Sequence, residues 1–539
     1  MYQQHSKVSQ VASLFLRNAW VHKYRTLVLG LVAWFFLRFV ASYAYRLQLS
    51  YTDTAGFLEL IDRKSLLEPL QGDYFRSARG LVPLINTGTE KICSVIPFTN
   101  FGELSFFGIH PYLIATPISA VSWLFPFSTV YIAALFLTAT VVFGLASVYI
   151  FLNKLAVPRL TIACLVISVT AYPVLVQSLG GQAYFDRLMF GPGVLLVLLV
   201  WWSKFRSLSV WKWICVCGFV LALISERGAA LASLVMVGYL LLLHGKDCLR
   251  SPELRRVFIL GAAIFCYLLT WAFRWQAYDS YGQISVTLMR SRLGELFSDS
   301  LFPMTKVFLL TSIGFFILSL FAGRVFLILL ISMASNLLIS VGGAELTGFG
   351  THYHQTYLPV VIATAAIGLF NLDKWLRRTK SPEPAKLLRL FIGPILVATI
   401  CVTAVTQVYS GSTNLFFQQT RDILVTRKVT FDDWVAKARA YQEIGEYVKE
   451  LPKGTVSVPE GLMPALFLAG IEDVEYWPMG VGKADVLVVP MDGDGPNPYP
   501  VGFWGDTETL RTCLKSELST KYNQLIGFDN GPTEIFILK

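Results

Sequence analysis

The residues that could carry chemistry lie in short stretches between long apolar runs. Asp53, in the stretch Ser50–Gly56, is the first carboxylate of the chain and directly follows the first apolar run. Charge at the edge of hydrocarbon is energetically expensive, so an acid in that place is a functional candidate by default. The alternative interpretation is a charge that only marks the rim or caps the end of a membrane helix.

Two acid–arginine dipeptides form the next stretches. Asp186 and Arg187 follow the glycine pair 180–181, and Glu226 and Arg227 separate two short apolar runs. Carboxylates can act as general bases and arginines can hold phosphate, so both dipeptides predict a polar binding site. An ordinary loop salt bridge for the first pair and a self-neutralised pair for the second stay open as alternatives.

Histidines complete the candidates. His110 stands alone before Pro111, and the glycine-rich run 342–354 ends in His352 and His354. The histidine pair could contact a phosphate or an acceptor, could contribute to a metal site, or could belong to a plain interfacial loop. A capped interfacial residue is the simplest interpretation of His110. The acidic loop 492–498 suggests calcium but lacks the further ligands of a loop site. The sequence contains no phosphate-binding loop, nucleophile elbow or dinucleotide-binding fingerprint.

Composition places these stretches in a membrane protein. The 539-residue chain is 54% hydrophobic and 15% charged, with a mean hydropathy of +0.56. Apolar runs long enough or nearly long enough to cross a bilayer recur from Leu27 to Val408, which predicts a polytopic helical membrane protein. The net charge of +10 is concentrated in short loops, so it indicates membrane orientation and no nucleic-acid partner. The cysteines are read as apolar fillers.

The apolar runs predict eleven spans, with the N-terminus in the cytoplasm and the C-terminus outside. The predicted spans are 27–47, 128–151, 157–179, 188–202, 211–225, 228–244, 256–274, 304–322, 324–341, 356–372 and 387–409. Residues 1–26 form a cytoplasmic amphipathic segment, residues 27–410 the membrane domain with a first outer loop at 48–127, and residues 411–539 a small extracytoplasmic α/β domain.

Segment 104–124 decides this topology. It is apolar, but His110, Pro111 and Pro117 interrupt it. If it does not cross, the loops rich in Lys and Arg all fall on the inner side, whereas a crossing would reverse every later loop against the positive-inside rule. We therefore expect a re-entrant or interfacial segment, and a hairpin that meets at Glu226–Arg227 slightly inside the outer interface.

The arrangement resembles the GT-C superfamily, the polytopic glycosyltransferases that use polyprenyl-phosphate sugars. By position, Asp53 matches the catalytic acid that those enzymes carry just past the first helix. Four further features resemble a family of uncharacterised bacterial and archaeal membrane proteins usually placed near GT-C: His110–Pro111, Phe185–Asp186–Arg187, Glu226, and His352–Tyr353 followed by Pro359. The single acid at Asp53 and the arginine after Glu226 depart from the paired acids of GT-C and count against a metal-assisted mechanism.

The resemblance implies an inverting glycosyltransferase of the plasma membrane that acts at its outer face. Asp53 would be the general base, and Arg187, Arg227, His352 and His354 would stabilise the departing polyprenyl phosphate. The implied partners are a polyprenyl-phosphate-linked sugar, an envelope glycan, lipid or protein acceptor, and membrane lipids. No cofactor is required by the sequence, and a divalent metal stays open. A transporter or flippase of a lipid-linked or anionic substrate is the alternative function, and a scaffold that binds envelope polymers is a third.

Overall fold

The computed structural model describes residues 30, 32–37, 57–58, 60–61, 112–125, 127, 129–171, 185–204, 210–275, 314–339, 356–379, 382–409, 431–451, 454–458, 462–471, 473–477, 480–490, 507–525 and 533–539. Four predicted site residues lie outside these ranges, namely Asp53, His110, His352 and His354.

All regular secondary structure in the described part of the membrane domain is helical. Its helices are α1 Ala115–Leu124, α2 Thr129–Lys154, α3 Arg159–Ala171, α4 Phe190–Trp202, α5 Trp211–Ile224, α6 Glu226–His244, α7 Asp247–Arg250, α8 Pro252–Trp275, α9 Val325–Ile339, α10 Leu358–Arg378 and α11 Pro382–Tyr409. Helix α6 contains a π-helical stretch at Leu234–Tyr239. Helical residues also occur at 32–37, 57–58, 60–61 and 314–320.

Five of the described helices are long and apolar enough to cross a membrane. They comprise α2, the continuous run Phe185–Trp202, α6, residues Pro252–Trp271 of α8, and α10. Each of the eleven predicted spans contains helical residues in its described part. The prediction of a mostly helical membrane protein is therefore confirmed, while the count of eleven spans and their orientation stay predictions.

Helix α1 is too short to cross a bilayer. It has 10 residues, which at 1.5 Å per residue is about 15 Å, half of the hydrocarbon thickness of about 30 Å. Its preceding turn is fixed to the hairpin of α5 and α6, because the Ile114 N–H donates to the Leu223 carbonyl at 2.8 Å. Residues 104–111 of the predicted segment lie outside the described residues, so the expectation that it does not span stays a prediction.

Helix α4 is the central helix of the described bundle and packs against α2, α5 and α10. Small residues allow the close approach: a Cβ at Gly191 would lie 2.5 Å from the Thr140 carbonyl oxygen, and one at Gly193 would lie 2.8 Å from the Pro359 side chain. Without large side chains at these contacts, the neighbouring backbones come into van der Waals range, which is how helices associate in lipid. The packing fixes the start of α4, where Asp186 and Arg187 lie.

The basic loops gather at one end of the bundle. Ser203 after α4 hydrogen-bonds His244 at the end of α6, at 2.9 Å. Arg324, before α9, donates to the Leu242 carbonyl at 3.5 Å, and Arg377 near the end of α10 donates to the Ala156 carbonyl after α2. The ends of α2, α4, α6 and α10 therefore share one face, which we call the basic end. This is the arrangement that the charge distribution of the sequence predicts.

Ala156 ends α2 in a left-handed conformation, with φ of +55°. Its N–H donates to the Asn153 carbonyl and the Val157 N–H donates to the Leu152 carbonyl, the paired bonds of a Schellman motif, in which glycine is the preferred residue. We expect Ala156→Gly to stabilise the protein by up to about 1 kcal/mol, because the Cβ strain is relieved and the added chain entropy offsets only part of the gain. The midpoint of thermal unfolding in detergent should rise. A lowered midpoint would contradict the motif.

The C-terminal unit is a small α/β fold. Helix α12 (Phe431–Glu450) precedes β1 (Val456–Val458), α13 (Met463–Ala469), β2 (Val474–Tyr476), β3 (Val486–Pro490), α14 (Thr507–Lys521), β4 (Tyr522–Leu525) and β5 (Thr533–Leu538). The sheet order is β2-β1-β3-β5-β4, parallel among β2, β1 and β3 and antiparallel at β5 and β4. Helix α13 packs against α2 of the membrane part. The predicted α/β character is confirmed, and its placement outside the membrane stays a prediction.

Candidate functional site

The site begins at a sharp break between two antiparallel helices. Ser225 is extended, with φ of −169° and ψ of 172°, and its hydroxyl accepts from the Gly228 N–H at 3.2 Å, so it ends α5 and caps α6. A serine that caps a helix satisfies a donor that the first turn otherwise leaves open. The break turns the chain back on itself and places Glu226 and Arg227 at the tip of a hairpin, as the sequence predicts.

Gly228 makes this tip possible. A Cβ at residue 228 would lie 2.0 Å from the Leu221 carbonyl oxygen, whereas a Cβ at Gly238, on the same helix, would lie 3.5 Å from its nearest neighbour. We expect Gly228→Ala to destabilise the protein by about 1–3 kcal/mol, because rigid backbone must move to admit the methyl group. Gly238→Ala is the matched control and should leave the thermal midpoint unchanged or raise it slightly. Equal midpoints for the two variants would contradict the close contact.

Asp186 and Arg187 lie in a short 3-10 helix, Phe185–Met189, that leads into α4. Thr140 of α2 holds this turn from the side: its hydroxyl donates to the Leu188 carbonyl at 2.8 Å and accepts from the Gly191 N–H at 2.9 Å. The Ser225 hydroxyl lies 3.7 Å from the Met189 sulfur, which joins the turn to the hairpin tip. The two acid–arginine dipeptides are therefore positioned by the same small set of contacts.

The dipeptides meet in an ion pair. The Arg227 Nη1 donates to the Asp186 Oδ2, and the Arg227 Nε lies 4.0 Å from the Glu226 Oε1. Asp186 is 0% exposed, and Arg187, at 1%, is the largest fully buried side chain among the residues that the structure describes. Two acids and two arginines thus share a largely desolvated cluster of balanced formal charge, the dipeptide cluster hereafter. Such a charge pattern inside a membrane bundle is typical of a site for a polar ligand.

Among the described residues, Oδ1 of Asp186 and the hydroxyl oxygen of Tyr267 have no hydrogen-bond partner. Tyr267 belongs to α8 and lies close enough to Glu226 for the two side chains to interact electrostatically. Buried polar atoms are nearly always satisfied in folded proteins, so each exception calls for a physical explanation. A bound polar ligand would supply the missing partners.

An aromatic cluster joins the start of the predicted first outer loop to the site. Phe57, Tyr112 and Phe185 contact one another with ring centroids 5.0–5.3 Å apart, and all three are buried. Phe57 follows Asp53 by four residues, Tyr112 follows His110 by two, and Phe185 directly precedes Asp186. Edge-to-face ring contacts of this kind stabilise a cluster beyond the burial of its area. Three separate candidate stretches of the sequence therefore have immediate neighbours that meet at one place.

The dipeptide cluster lies away from the basic loops, at the tip of the α5–α6 hairpin and beside the middle of α2. Thr140 is 14 residues before Lys154 at the basic end, and Glu226 is 14 residues after Lys212. At 1.5 Å per residue both distances are about 21 Å, against a hydrocarbon thickness of about 30 Å. Measured along these helices, the cluster therefore lies less than one hydrocarbon thickness from the basic end, and the inset of the hairpin tip below the outer interface stays a prediction.

Of the predicted site residues, the structure joins Asp186, Glu226 and Arg227 through ion pairs, and Arg187 is buried next to Asp186 in the same 3-10 helix. The other four lie outside the described residues. Sequence reasoning did not single out Thr140, Ser225 or Tyr267. A serine directly before Glu226 is a recognisable capping signal. Thr140 and Tyr267 sit inside apolar helices, where the sequence alone does not distinguish them from other polar residues. Among the described residues, no group of three or more His, Cys, Asp and Glu side chains could hold a metal ion.

Comparison with known proteins gives little similarity. No family model matches the chain, and no curated protein matches it. Among solved structures, the crystal structure of the oligosaccharyltransferase of Archaeoglobus fulgidus in the apo form is 10% identical, with a TM-score of 0.34, and covers 92% of this chain and 69% of its own. That level of similarity does not assign the chain to a family.

Proposed function

We propose that the protein transfers a sugar from a polyprenyl-phosphate donor to an acceptor at the outer membrane face. The observation that carries the proposal is the buried dipeptide cluster, which lies away from the basic end of the bundle. It offers two guanidinium groups for a phosphate, inside a bundle whose outer surface is apolar enough for a lipid tail.

In this proposal Arg187 and Arg227 bind the donor phosphate. Guanidinium groups stabilise the negative charge that grows on the phosphate as the bond to the anomeric carbon breaks, and this effect is larger where water is excluded. Arg227 already bridges Asp186 and Glu226, so its position is fixed before any ligand arrives. Binding groups that are held in place in advance need little reorganisation in the transition state.

Asp53 is the proposed general base. It would take the proton of the acceptor hydroxyl as that oxygen attacks the anomeric carbon, which inverts the configuration of the sugar. The support is its place in the sequence, four residues before Phe57 of the aromatic cluster. His110, His352 and His354 are proposed as further contacts to the phosphate or the acceptor, and the C-terminal unit as a part of the acceptor site.

The test is transfer by the purified protein in liposomes. Short-chain polyprenyl monophosphates that carry radiolabelled glucose, mannose, galactose or arabinose are supplied with a crude envelope extract as acceptor, and labelled product is separated from donor. We expect transfer from at least one donor. If the protein instead moves the labelled donor from one leaflet to the other and forms no product, it is a transporter and the proposal is overturned.

A further inference from the structure

The unsatisfied oxygen of Asp186 indicates what the ligand must offer. Its other oxygen, Oδ2, is already held by Arg227, and the residue is completely shielded from solvent. Oδ1 has no donor among the described residues. A desolvated carboxylate oxygen without a donor is strongly unfavourable, so the ligand that completes the site should place an O–H or N–H group there.

In the proposed function the neighbouring arginines bind the phosphate. Arg187, next in sequence and equally buried, offers only donors, and so does Arg227. A phosphodiester carries no proton on its free oxygens, so it matches the arginines and does not match Asp186. A ligand that contacts Asp186 as well as the two arginines therefore presents a phosphate and a hydrogen-bond donor within a few ångströms of each other.

We propose that Asp186 binds one hydroxyl of the donor sugar and so determines which sugars the site accepts. The proposal rests on the proposed glycosyl transfer and divides the dipeptide cluster into a phosphate half, Arg187 and Arg227, and a sugar half, Oδ1 of Asp186. Arg227 fixes the orientation of the carboxylate, so that Oδ1 faces the ring hydroxyl as an acceptor. Sites built to bind a hydroxyl in this way reject analogues that lack it.

The experiment measures inhibition constants, which do not depend on how an analogue reacts. Each mono-deoxy and mono-fluoro analogue of the best labelled donor competes with that donor for wild-type protein and for Asp186→Asn. We expect one ring position at which both replacements weaken binding to the wild type by about 10- to 100-fold, because deoxygenation and fluorination both remove the donated proton. At that position Asp186→Asn should bind parent and analogues within about threefold of one another.

Asp373→Asn is the matched control. Asp373 is also buried and paired with an arginine, Arg377, but it lies at the basic end of the bundle. This variant should keep the wild-type discrimination at every ring position. Loss of discrimination in both variants would show a general effect of removing a buried charge and would overturn the assignment.

The wild-type profile alone also tests the inference, should Asp186→Asn fail to fold. The inference is overturned if no deoxy analogue binds the wild type at least tenfold more weakly than the parent. It is also overturned if the fluoro analogue at the critical position binds as tightly as the parent, since fluorine can accept a hydrogen bond but cannot donate one. Failure of the proposed function is distinguishable, because in that case the labelled parent donor is not transferred at all.

Discussion

Asp53→Asn is expected to lower the turnover of sugar transfer by about 10²- to 10⁴-fold while it leaves donor affinity and thermal stability near the wild-type values. The substitution keeps the shape of the side chain and removes the group that accepts the proton, and general-base catalysis contributes a factor of this size. The measurement is the initial rate with saturating labelled donor, together with the thermal midpoint in the same detergent.

Glu59→Gln supplies the comparison for Asp53→Asn, since Glu59 is the next carboxylate of the chain. It should retain turnover within a few-fold of the wild type. If Asp53→Asn also stays within a few-fold, the base is another group and the proposed role of Asp53 is wrong. If both variants lose activity to the same extent, the loop acts through its overall charge, and the assignment of Asp53 as the general base is wrong.

Arg227→Met should be the most destabilising single substitution at the site. It leaves the fully buried Asp186 without its ion-pair partner, and removal of one member of a buried pair typically destabilises a protein by about 3–5 kcal/mol. The thermal midpoint and the rate of inactivation in detergent measure the effect. Arg377→Met, at the basic end, is the comparison: its side chain is 43% exposed, so its pair with Asp373 should contribute less.

The double variant Asp186→Asn/Arg227→Met separates stability from function. Neutralising Asp186 removes the uncompensated charge, so the double variant should recover most of the stability that Arg227→Met loses. Donor binding should not recover, because one of the two proposed phosphate ligands is absent. Recovery of binding together with stability would mean that Arg227 has only a structural role.

Much of the fold follows from the sequence because apolar length and charge asymmetry are local signals. Short apolar runs in the C-terminal unit predict strands at Val456–Val458, Val486–Val489 and Glu534–Leu538. The structure has β1 at the first of these, and β3 and β5 match the other two to within one residue. Strands β2 and β4 and helix α13 were not predicted. Strand β2 has only three residues and β4, with the sequence YNQL, is mostly polar, so neither shows the alternation of a half-buried strand, and both depend on pairing with β1 and β5.

The site is predictable in its residue types and less so in its geometry. Burying an acid or an arginine in a membrane costs free energy, so charged residues between apolar runs mark candidate sites, and both dipeptides are recognisable in this way. That Arg227 pairs with Asp186, 41 residues earlier, depends on how α4, α5 and α6 pack, which no local pattern specifies. The position of the pair beside α2 likewise depends on Thr140, which looks like any threonine inside an apolar helix.

The shortness of α5 has a consequence for the surrounding lipid. The helix has 14 residues, about 21 Å, and exposes Trp213, Val216 and Phe219 on its outer side. With Trp211 and Lys212 at the membrane interface of the basic end, the exposed apolar surface of α5 ends several ångströms short of the opposite interface of a bilayer of average thickness. Such hydrophobic mismatch is relieved by local thinning of the bilayer. A lipid headgroup beside α5 would then need to descend less far to reach the charged residues at the hairpin tip.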